Sequence, residues 1–564
     1  MREFFQDPPR LANPFAGDAA LRSYLLRALP SEVHAEVEPG LHHLGARAAG
    51  DLLARAAAAE AEPPRHVPFD PWGRRTDRIE TSAAWRDLDR IAAEEGIVAT
   101  AYERAHGPFS RVHQLARLYL YHPSSAVYSC PLAMTDGAAR ILELHGGGDP
   151  VLAEAFARLT TRDPERFWTS GQWMTERTGG SDVSGTSTVA RPVEDGTYRL
   201  SGTKWFTSAT TSQVALTLAR IDGDSAAGSA GLSLFYLELR DDAGGLRGIR
   251  VHRLKDKLGT RALPTAELSL EGTPARLVGE AGNGVRRISS LLNVTRVYNA
   301  VCAVAGMRRA LDLAADYATR RRAFGRALRE HPLHAETLAA LAVEHAGALH
   351  LTFHVAELLG REECGTASED DRLLLRLLTP VAKLYTARQG VAAASEALEA
   401  FGGAGYVEDT GLPRLLRDAQ VLSIWEGTTN VLSLDVLRVL GKGDALAAVA
   451  AAARRRLAAL RDPALGTSAR RVGDALDAIG AHAERWAGDE AGAQAGARAF
   501  AFALARTYAA ALLLEHADAG ISPRDAVVAR RWCAQELAPL AVPDAAHRAE
   551  SDALVWENTG RTDG

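Results

Sequence analysis

Lysine is almost missing from this chain. Only Lys204, Lys255, Lys257, Lys383 and Lys442 stand among 65 basic residues, so arginine carries nearly all the positive charge. Cysteine is as scarce. Cys130, Cys302, Cys364 and Cys533 lie far apart and form no CxxC pair. That excludes a disulfide-stapled scaffold and a zinc ribbon, and the thiols read as reduced. No excess of one charge exists either: 65 basic against 70 acidic residues leaves −5, too little for a global field drawing the chain onto nucleic acid or anionic lipid. The first eighteen residues hold three acids and three prolines and lack the apolar core of a leader. No run of 18 apolar residues occurs; the best candidate, Ala499 to Leu514, contains Arg506 and reads as a buried helix. The expectation is a cytoplasmic protein without membrane contact.

Familiar motifs are absent too. No GxGxxG follows a strand, and there is no Walker A loop, HExxH or GxSxG elbow. His42-His43 is an isolated pair and reads as a surface feature. No metal site is expected.

What is present is a long globular chain. Its 564 residues suit three or four domains, and 47% apolar with 24% charged residues is ordinary for a packed protein. Residues 1–170 show apolar spacing of three and four, at Leu21 to Leu29, Val33 to Ala59, Ser82 to Gly96 and Ser110 to Tyr121. From 171 to 284 the pattern turns to short alternating runs broken by glycine, with Asp195-Gly196 as a hairpin turn. Helical spacing returns over 285–440, in Val285 to Phe324, Ala335 to Leu359, Asp370 to Ala400 and Ile424 to Leu440. Gly441-Lys442-Gly443 reads as a helix stop, and 441–564 is again alanine-rich and helical.

Three stretches are richer in glycine, hydroxyl and charge than packing requires. Met174-Thr-Glu-Arg-Thr-Gly-Gly-Ser-Asp-Val183 offers a turn with free N–H groups, either a ligand cradle or a capped turn. Gly202-Thr-Lys-Trp-Phe-Thr-Ser208 places an aromatic pair before two hydroxyls, suited to a flat ring or to a core. Phe401-Gly-Gly-Ala-Gly-Tyr406 precedes Ile424-Trp-Glu-Gly-Thr-Thr-Asn430, where Glu426 is either a general base or a solvated helix-terminal acid.

In this order the stretches resemble the acyl-CoA dehydrogenase family of flavoproteins. The first is similar to M-T-E-x-x-x-G-S-D-V and the second to G-x-K-x-W-I-T-N. "KDKLGTRALPTAEL", "LVGEAGNGVRRI", Arg321-Arg-Ala-Phe-Gly325 and the stretch from "EAFGGAGY" to "IWEGTTN" follow. "YSCPLAMTDGAA", "RLKDKLG" and "LDVLRVLGK" resemble the AidB-like branch, as does Glu399 where most members carry glutamine.

The resemblance implies an α+β, mainly α architecture: an N-terminal helical domain, a β-barrel-like middle domain, a four-helix bundle, and an extra C-terminal helical domain. It implies FAD. Met174, Thr175 and Ser181 would contact flavin and phosphate, and Phe206, Thr207 and Ser208 would line the isoalloxazine. Trp425, Gly427, Thr428 and Asn430 would hold the cofactor from the other side, with Gly402 and Gly403. Arg321 and Phe324 would reach the FAD of a neighbouring subunit in a homotetramer, a dimer of dimers. Glu426 would take the α-proton of an acyl thioester while hydride leaves the β-carbon. Some members carry the base just before an arginine on the helix after the β domain; here that residue is Thr295, before Arg296, so Glu426 has no rival.

Two other readings remain. One is a DNA-binding flavoprotein of the alkylation-damage response. Residues 441–564 hold 15 basic and 16 acidic residues, which disfavours it, although Arg454-Arg455-Arg456, Arg461 and Arg470-Arg471 could share a face. The other is a flavin oxidase acting on a carrier-bound or non-CoA substrate.

Overall fold

The computed structural model describes residues 6–223, 226, 228–486, 488–541 and 543–556. The ends of the expected first and last domains, 1–5 and 557–564, lie outside the described residues. The first block is helical: α1 (Ala19–Ala28), α2 (Ser31–Ala49), α3 (Asp51–Ala61), α4 (Ala83–Glu94), α5 (Ser110–Tyr121), α6 (Ser129–His145) and α7 (Pro150–Leu159). The helix expected over Val33–Ala59 is two, because Gly50 leaves helical geometry at ψ −106°. Between α3 and α4 lies a hairpin, β1 (Arg65–Phe69) with β2 (Arg75–Glu80), where the prolines suggested only punctuation. It is tied to the next block by Asp77, whose Oδ2 accepts the Val251 N–H at 3.1 Å.

The middle block is a barrel. Its strands are β3 (Ser170–Gln172), β4 (Val189–Pro192), β5 (Tyr198–Ser208), β6 (Val214–Ile221), β7 (Leu232–Glu238), β8 (Ile249–Leu254) and β9 (Thr265–Leu277). β4 pairs with both β5 and β6, β5 with β9, β9 with β7, and β7 with β6, so the ring closes; β3 and β8 extend it. Closure removes free edges. Trp173, Leu200, Phe235 and Leu268 fill the interior.

The bundle follows. α8 (Gly284–Arg320) leads to α9 (Pro332–Glu363), α10 (Glu369–Ala400), α11 (Pro413–Leu422) and α12 (Thr429–Leu440). Pro332 occupies the first turn of α9, and Ser368 with Asp371 forms a capping box at the start of α10. Two expected helix bounds are corrected. α8 stops at Arg320, and residues 322–327 form a small hairpin because Phe324 and Gly325 take positive φ. The helix expected from Ile424 begins only at Thr429, because Glu426 and Gly427 do the same.

The last helices are α13 (Ala445–Ala458), α14 (Gly466–Arg485), α15 (Glu490–Asp518), α16 (Pro523–Cys533) and α17 (Ala545–Trp556). They do not form a separate core. Tyr24, Leu120, Val301, Leu349, Leu378, Leu504 and Trp532 belong to one continuous apolar cluster running through the first, third and last blocks. α8 and α15 are long and apolar enough to cross a membrane, but 72% and 78% of their most apolar windows are buried, and they serve as core helices. The cysteines are free, and Cys130, Cys302 and Cys533 are buried.

Candidate active site

Glu426 sits on a tight turn between α11 and α12. Its φ is 56° and that of Gly427 is 101°. A glutamate in the left-handed region stores strain of about 1–3 kcal/mol and persists only where its surroundings impose it. Two side chains do so. Lys383 on α10 is fully buried, and its Nζ donates to the carbonyls of Trp425 at 2.7 Å and Gly427 at 2.6 Å. Thr295 on α8 donates its hydroxyl to Glu426 Oε2 at 2.6 Å. The next residue, Arg296, pairs with Asp435 of α12 at 2.9 Å. Three helices, α8, α10 and α12, thus converge on the Glu426 turn. Burial pushes Lys383 down to about 7; the Glu426 charge opposes this and Arg296 adds to it. Trp425 packs against the large core, Thr428 caps α12, and Asn430 is exposed on its first turn.

The rim of the barrel supplies the other half. β5 slips register against β9 between Lys204 and Thr207, a bulge that turns Trp205 and Phe206 out of the ladder. The Trp205 N–H donates instead to the Thr175 carbonyl at 3.0 Å. Phe206 is left 51% exposed, a free aromatic surface. The Lys255 ammonium lies 4.1 Å from the Trp205 ring centre and 4.2 Å from that of Phe206. Thr207 is fully buried and donates its hydroxyl to the Ala266 carbonyl at 2.8 Å. The Thr207 carbonyl accepts from the Thr210 hydroxyl at 2.7 Å. Ser208 keeps its hydroxyl half-buried, 3.0 Å from that of Thr265.

The motif beginning at Met174 divides by burial. The Met174 side chain is buried in an apolar cluster with Leu216 and Leu218, so only its main chain is left for a ligand. Thr175 is half-buried and Ser181 exposed on the turn that follows. Gly180 approaches Thr175 so closely that a Cβ would stand 2.6 Å from its hydroxyl, which keeps the turn folded over that residue. Glu176 is structural. It accepts from Lys204 Nζ at 2.9 Å and from the Ser187 N–H and hydroxyl at 2.7 Å each.

Rim and turn are joined. Lys257 Nζ donates to the Leu263 carbonyl at 2.7 Å and to the Thr265 hydroxyl at 3.1 Å. Its loop rests on α11: the Thr260 N–H donates to Asp418 at 2.6 Å, and a Cβ on Gly259 would stand 2.6 Å from the Arg417 main chain. α11 leads straight into the Glu426 turn.

The remaining expected residues gather at another end of the bundle. Tyr317 of α8 and Phe401 after α10 pack at a tilt of 51° with ring centres 4.9 Å apart. Around that contact Arg321, Gly402 and Gly403 are exposed, and Phe324 is 96% exposed. Glu399 is exposed on the last turn of α10. Among the described residues no cluster of three or more His, Cys, Asp or Glu is arranged to hold a metal ion.

Comparison with known proteins now decides the family. Models of the acyl-CoA dehydrogenase middle domain and C-terminal domain match residues 171–273 and 282–441. A model of the adaptive response protein AidB N-terminal domain matches 7–163, and one described as acyl-CoA dehydrogenase 11 C-terminal domain-like matches 444–558. The chain belongs to the acyl-CoA dehydrogenase family. Acyl-CoA dehydrogenase family member 11 of Caenorhabditis elegans is 46% identical over 549 residues, 94% of this chain and 89% of the relative. The crystal structure of Caenorhabditis elegans ACDH-11 in complex with C11-CoA superposes with a TM-score of 0.96 at 43% identity, covering 99% of this chain and 98% of that one. The putative acyl-CoA dehydrogenase AidB of Escherichia coli is 35% identical over 391 residues, 68% of this chain and 70% of the relative. This member of the family is thus an FAD-dependent oxidoreductase acting on acyl thioesters. Its residues fit the cofactor: the half-exposed Phe206 ring and the half-buried Ser208 for a flat ring system, and the hydroxyls of Thr175 and Ser181 with a glycine turn for phosphate.

Motif reading passed over Lys383 and Lys255. Their signal was the scarcity of lysine itself. In a chain that writes arginine almost everywhere, four of the five lysines (Lys204, Lys255, Lys257 and Lys383) stand in or behind this dehydrogenase site. A compact ammonium fits between carbonyls where a planar guanidinium does not.

The arginines of the C-terminal block are mostly engaged. Arg454 pairs with Asp477, Arg455 with Asp370, Arg456 with Glu515 and Arg461 with Asp518. Arg470 bonds the Thr467 hydroxyl and Arg471 the Cys533 carbonyl.

Proposed function

We propose that this chain desaturates an acyl thioester between Cα and Cβ, with Glu426 as the base. One observation carries the reading: a glutamate is held in left-handed backbone, its carboxylate oriented by Thr295, on a turn joined to the half-exposed aromatic rim through α11 and the Lys257 loop. A thioester carbonyl acidifies its α-carbon, and Glu426 accepts the α-proton. Hydrogen bonds to the thioester oxygen would stabilise the negative charge that develops there. FAD, when bound, accepts the hydride that leaves the β-carbon.

The first substrates to try follow from the relative solved with C11-CoA, so medium-length acyl-CoAs head the panel. Anaerobic titration of the purified yellow protein with that panel tests the reading. Bleaching of the oxidised flavin by one chain class, lost in Glu426→Gln, is expected. A flavin that no thioester bleaches overturns it and moves the question to carrier-bound substrates and oxidase chemistry.

We further propose a cytoplasmic homotetramer, a dimer of dimers, in which Arg321 and Phe324 reach a neighbour's FAD. The exposure of Phe324, at 96%, with Tyr406, at 89%, supports burial in an assembly. Light scattering that gives a monomer in the flavin-loaded state would reject it. The DNA-binding alternative is disfavoured by the near-neutral charge of the last block and by the carboxylate partners of its arginines.

A further inference from the structure

We propose that Lys383 is a positioning residue for proton abstraction: by holding the carbonyls on both sides of Glu426 it fixes the direction in which the carboxylate leaves the main chain. The inference rests on Glu426 being the base.

The argument is geometric. Each peptide unit is planar, so a residue's φ and ψ are the rotations between the two planes that bound it. Lys383 Nζ holds the oxygen of the plane before Glu426, Trp425 O at 2.7 Å, and that of the plane after Gly427, Gly427 O at 2.6 Å, so it clasps the Glu426-Gly427 pair from both ends. With both ends pinned to one atom, the φ and ψ of Glu426 and Gly427 are restrained together, and with them the Cα–Cβ vector of Glu426. The imposed conformation is one that glutamate does not choose, φ 56°. Released, the residue gains by relaxing to negative φ, which swings the side chain away. Thr295 then holds only the far end of a chain whose root has moved.

The lysine suits this task. It is fully buried on α10 with its chain extended through packed helices. An ammonium presents three donors about one atom, enough for two carbonyls a residue apart. Burial draws it down to about 7, and the nearby Glu426 charge favours its protonated form. Proton transfer from carbon tolerates little error in placement; an ångström costs on the order of 100-fold.

The test separates proton transfer from flavin turnover. The probe is an acyl-CoA with sulfur in place of its β-carbon, which has α-protons but no β-hydride to give. Its α-proton exchange with D2O and its dissociation constant are measured on the flavin-loaded full-length enzyme and on Glu426→Gln, Lys383→Met and Lys383→Gln. Glutamine is polar and too short to span both carbonyls, so it serves where methionine prevents folding. The expected result is exchange about 100-fold slower in either Lys383 variant, with the dissociation constant within threefold of the parent. A structural role alone would lower binding and folded fraction instead. Parent-like exchange in a folded Lys383 variant, with Glu426→Gln inactive, overturns the positioning role and leaves the base in place. Parent-like exchange in Glu426→Gln overturns both.

Discussion

Thr295 and Glu426 are 131 residues apart in sequence, and the hydroxyl of one donates to the carboxylate of the other at 2.6 Å. The bond joins α8 to the turn before α12, so the long helix of the bundle orients the side chain that the turn presents. Thr295 thus supplies a donor, and the carboxylate it orients comes from another element.

Removing that donor tests the division of labour. In Thr295→Val the shape is kept and the bond is lost. Hydrogen bonds to charged groups are worth about 1.5–3 kcal/mol, which is about 10- to 100-fold in rate where the bond orients the reacting group. The rate of flavin bleaching by a good thioester is expected to fall by that factor with KM within threefold. Stopped-flow absorbance reads it; an unchanged rate would mean that Thr295 plays no part once substrate is bound.

The buried Lys204–Glu176 pair behind the barrel rim governs acid stability. Burial alone would raise the Glu176 carboxyl, but the Lys204 ammonium and the hydroxyls of Thr188 and Ser187 bring it down to about 2 from 4.5. A carboxyl depressed in the folded state stabilises fully above its unfolded value and loses that contribution as pH falls through the folded one. The window is therefore pH 4.5 to 2, and the full effect is about 3 kcal/mol. Lys204 is itself pushed below its usual value by burial, so the pair is worth less at neutral pH than the carboxyl alone suggests. Melting temperature against pH is expected to fall steeply over that window and less steeply in Glu176→Gln. Equal slopes would assign the acid limb to other groups.

Much of this was legible beforehand, and the reasons differ by residue. Helix spacing gave α5 and α15, because a buried face repeats every three to four residues regardless of what covers it. Thr197 to Ser201 read as strand, but the bulge at Trp205 did not show, since it depends on the Thr175 carbonyl waiting on another segment. Glu426 stood out by motif. The left-handed backbone that presents it was read as helix, because leucines continue the helical pattern on α12 and nothing local announces Lys383 on α10. Met174 lies in a motif, yet its side chain serves the core. Long-range partners, Lys383 for Trp425 and Thr295 for Glu426, are invisible to any window shorter than the fold.

The arginines of the last block give a prediction about nucleic acid. Four of those that could form a patch are paired with carboxylates at 2.6 to 3.4 Å. Phosphate contacts would have to break these pairs. Duplex DNA is therefore expected to bind no tighter than about 10⁻⁴ M at physiological salt, the weak end of non-specific binding. Fluorescence anisotropy at 50 and 200 mM salt measures it. A submicromolar, steeply salt-dependent isotherm would restore the DNA reading.

The last helices are held to the bundle at Gly347. Trp532 of α16 is fully buried, its indole N–H donating to the Arg506 carbonyl at 3.0 Å, and its ring lies on α9 where Gly347 has no side chain. A Cβ there would stand 2.2 Å from the ring. Neither partner has room to yield: Trp532 is enclosed, and α9 is the central helix between α15 and α10. Gly347→Ala should thus displace α16 rather than distort α9, despite alanine's better helix propensity of about 1 kcal/mol. Overpacking costs of about 1–3 kcal/mol are typical, and the close approach puts this site at the upper end. The Glu426 turn is held by Lys383 of α10 and Thr295 of α8, not by α9 or α16, and is expected to keep its conformation. The expected variant unfolds several degrees earlier, shows Trp532 emission shifted to the red, and keeps its kcat at low temperature. A variant as stable as the parent would show that α16 is only loosely seated. One that lost kcat while folded would show that the last block supports the catalytic turn as well as covering the bundle.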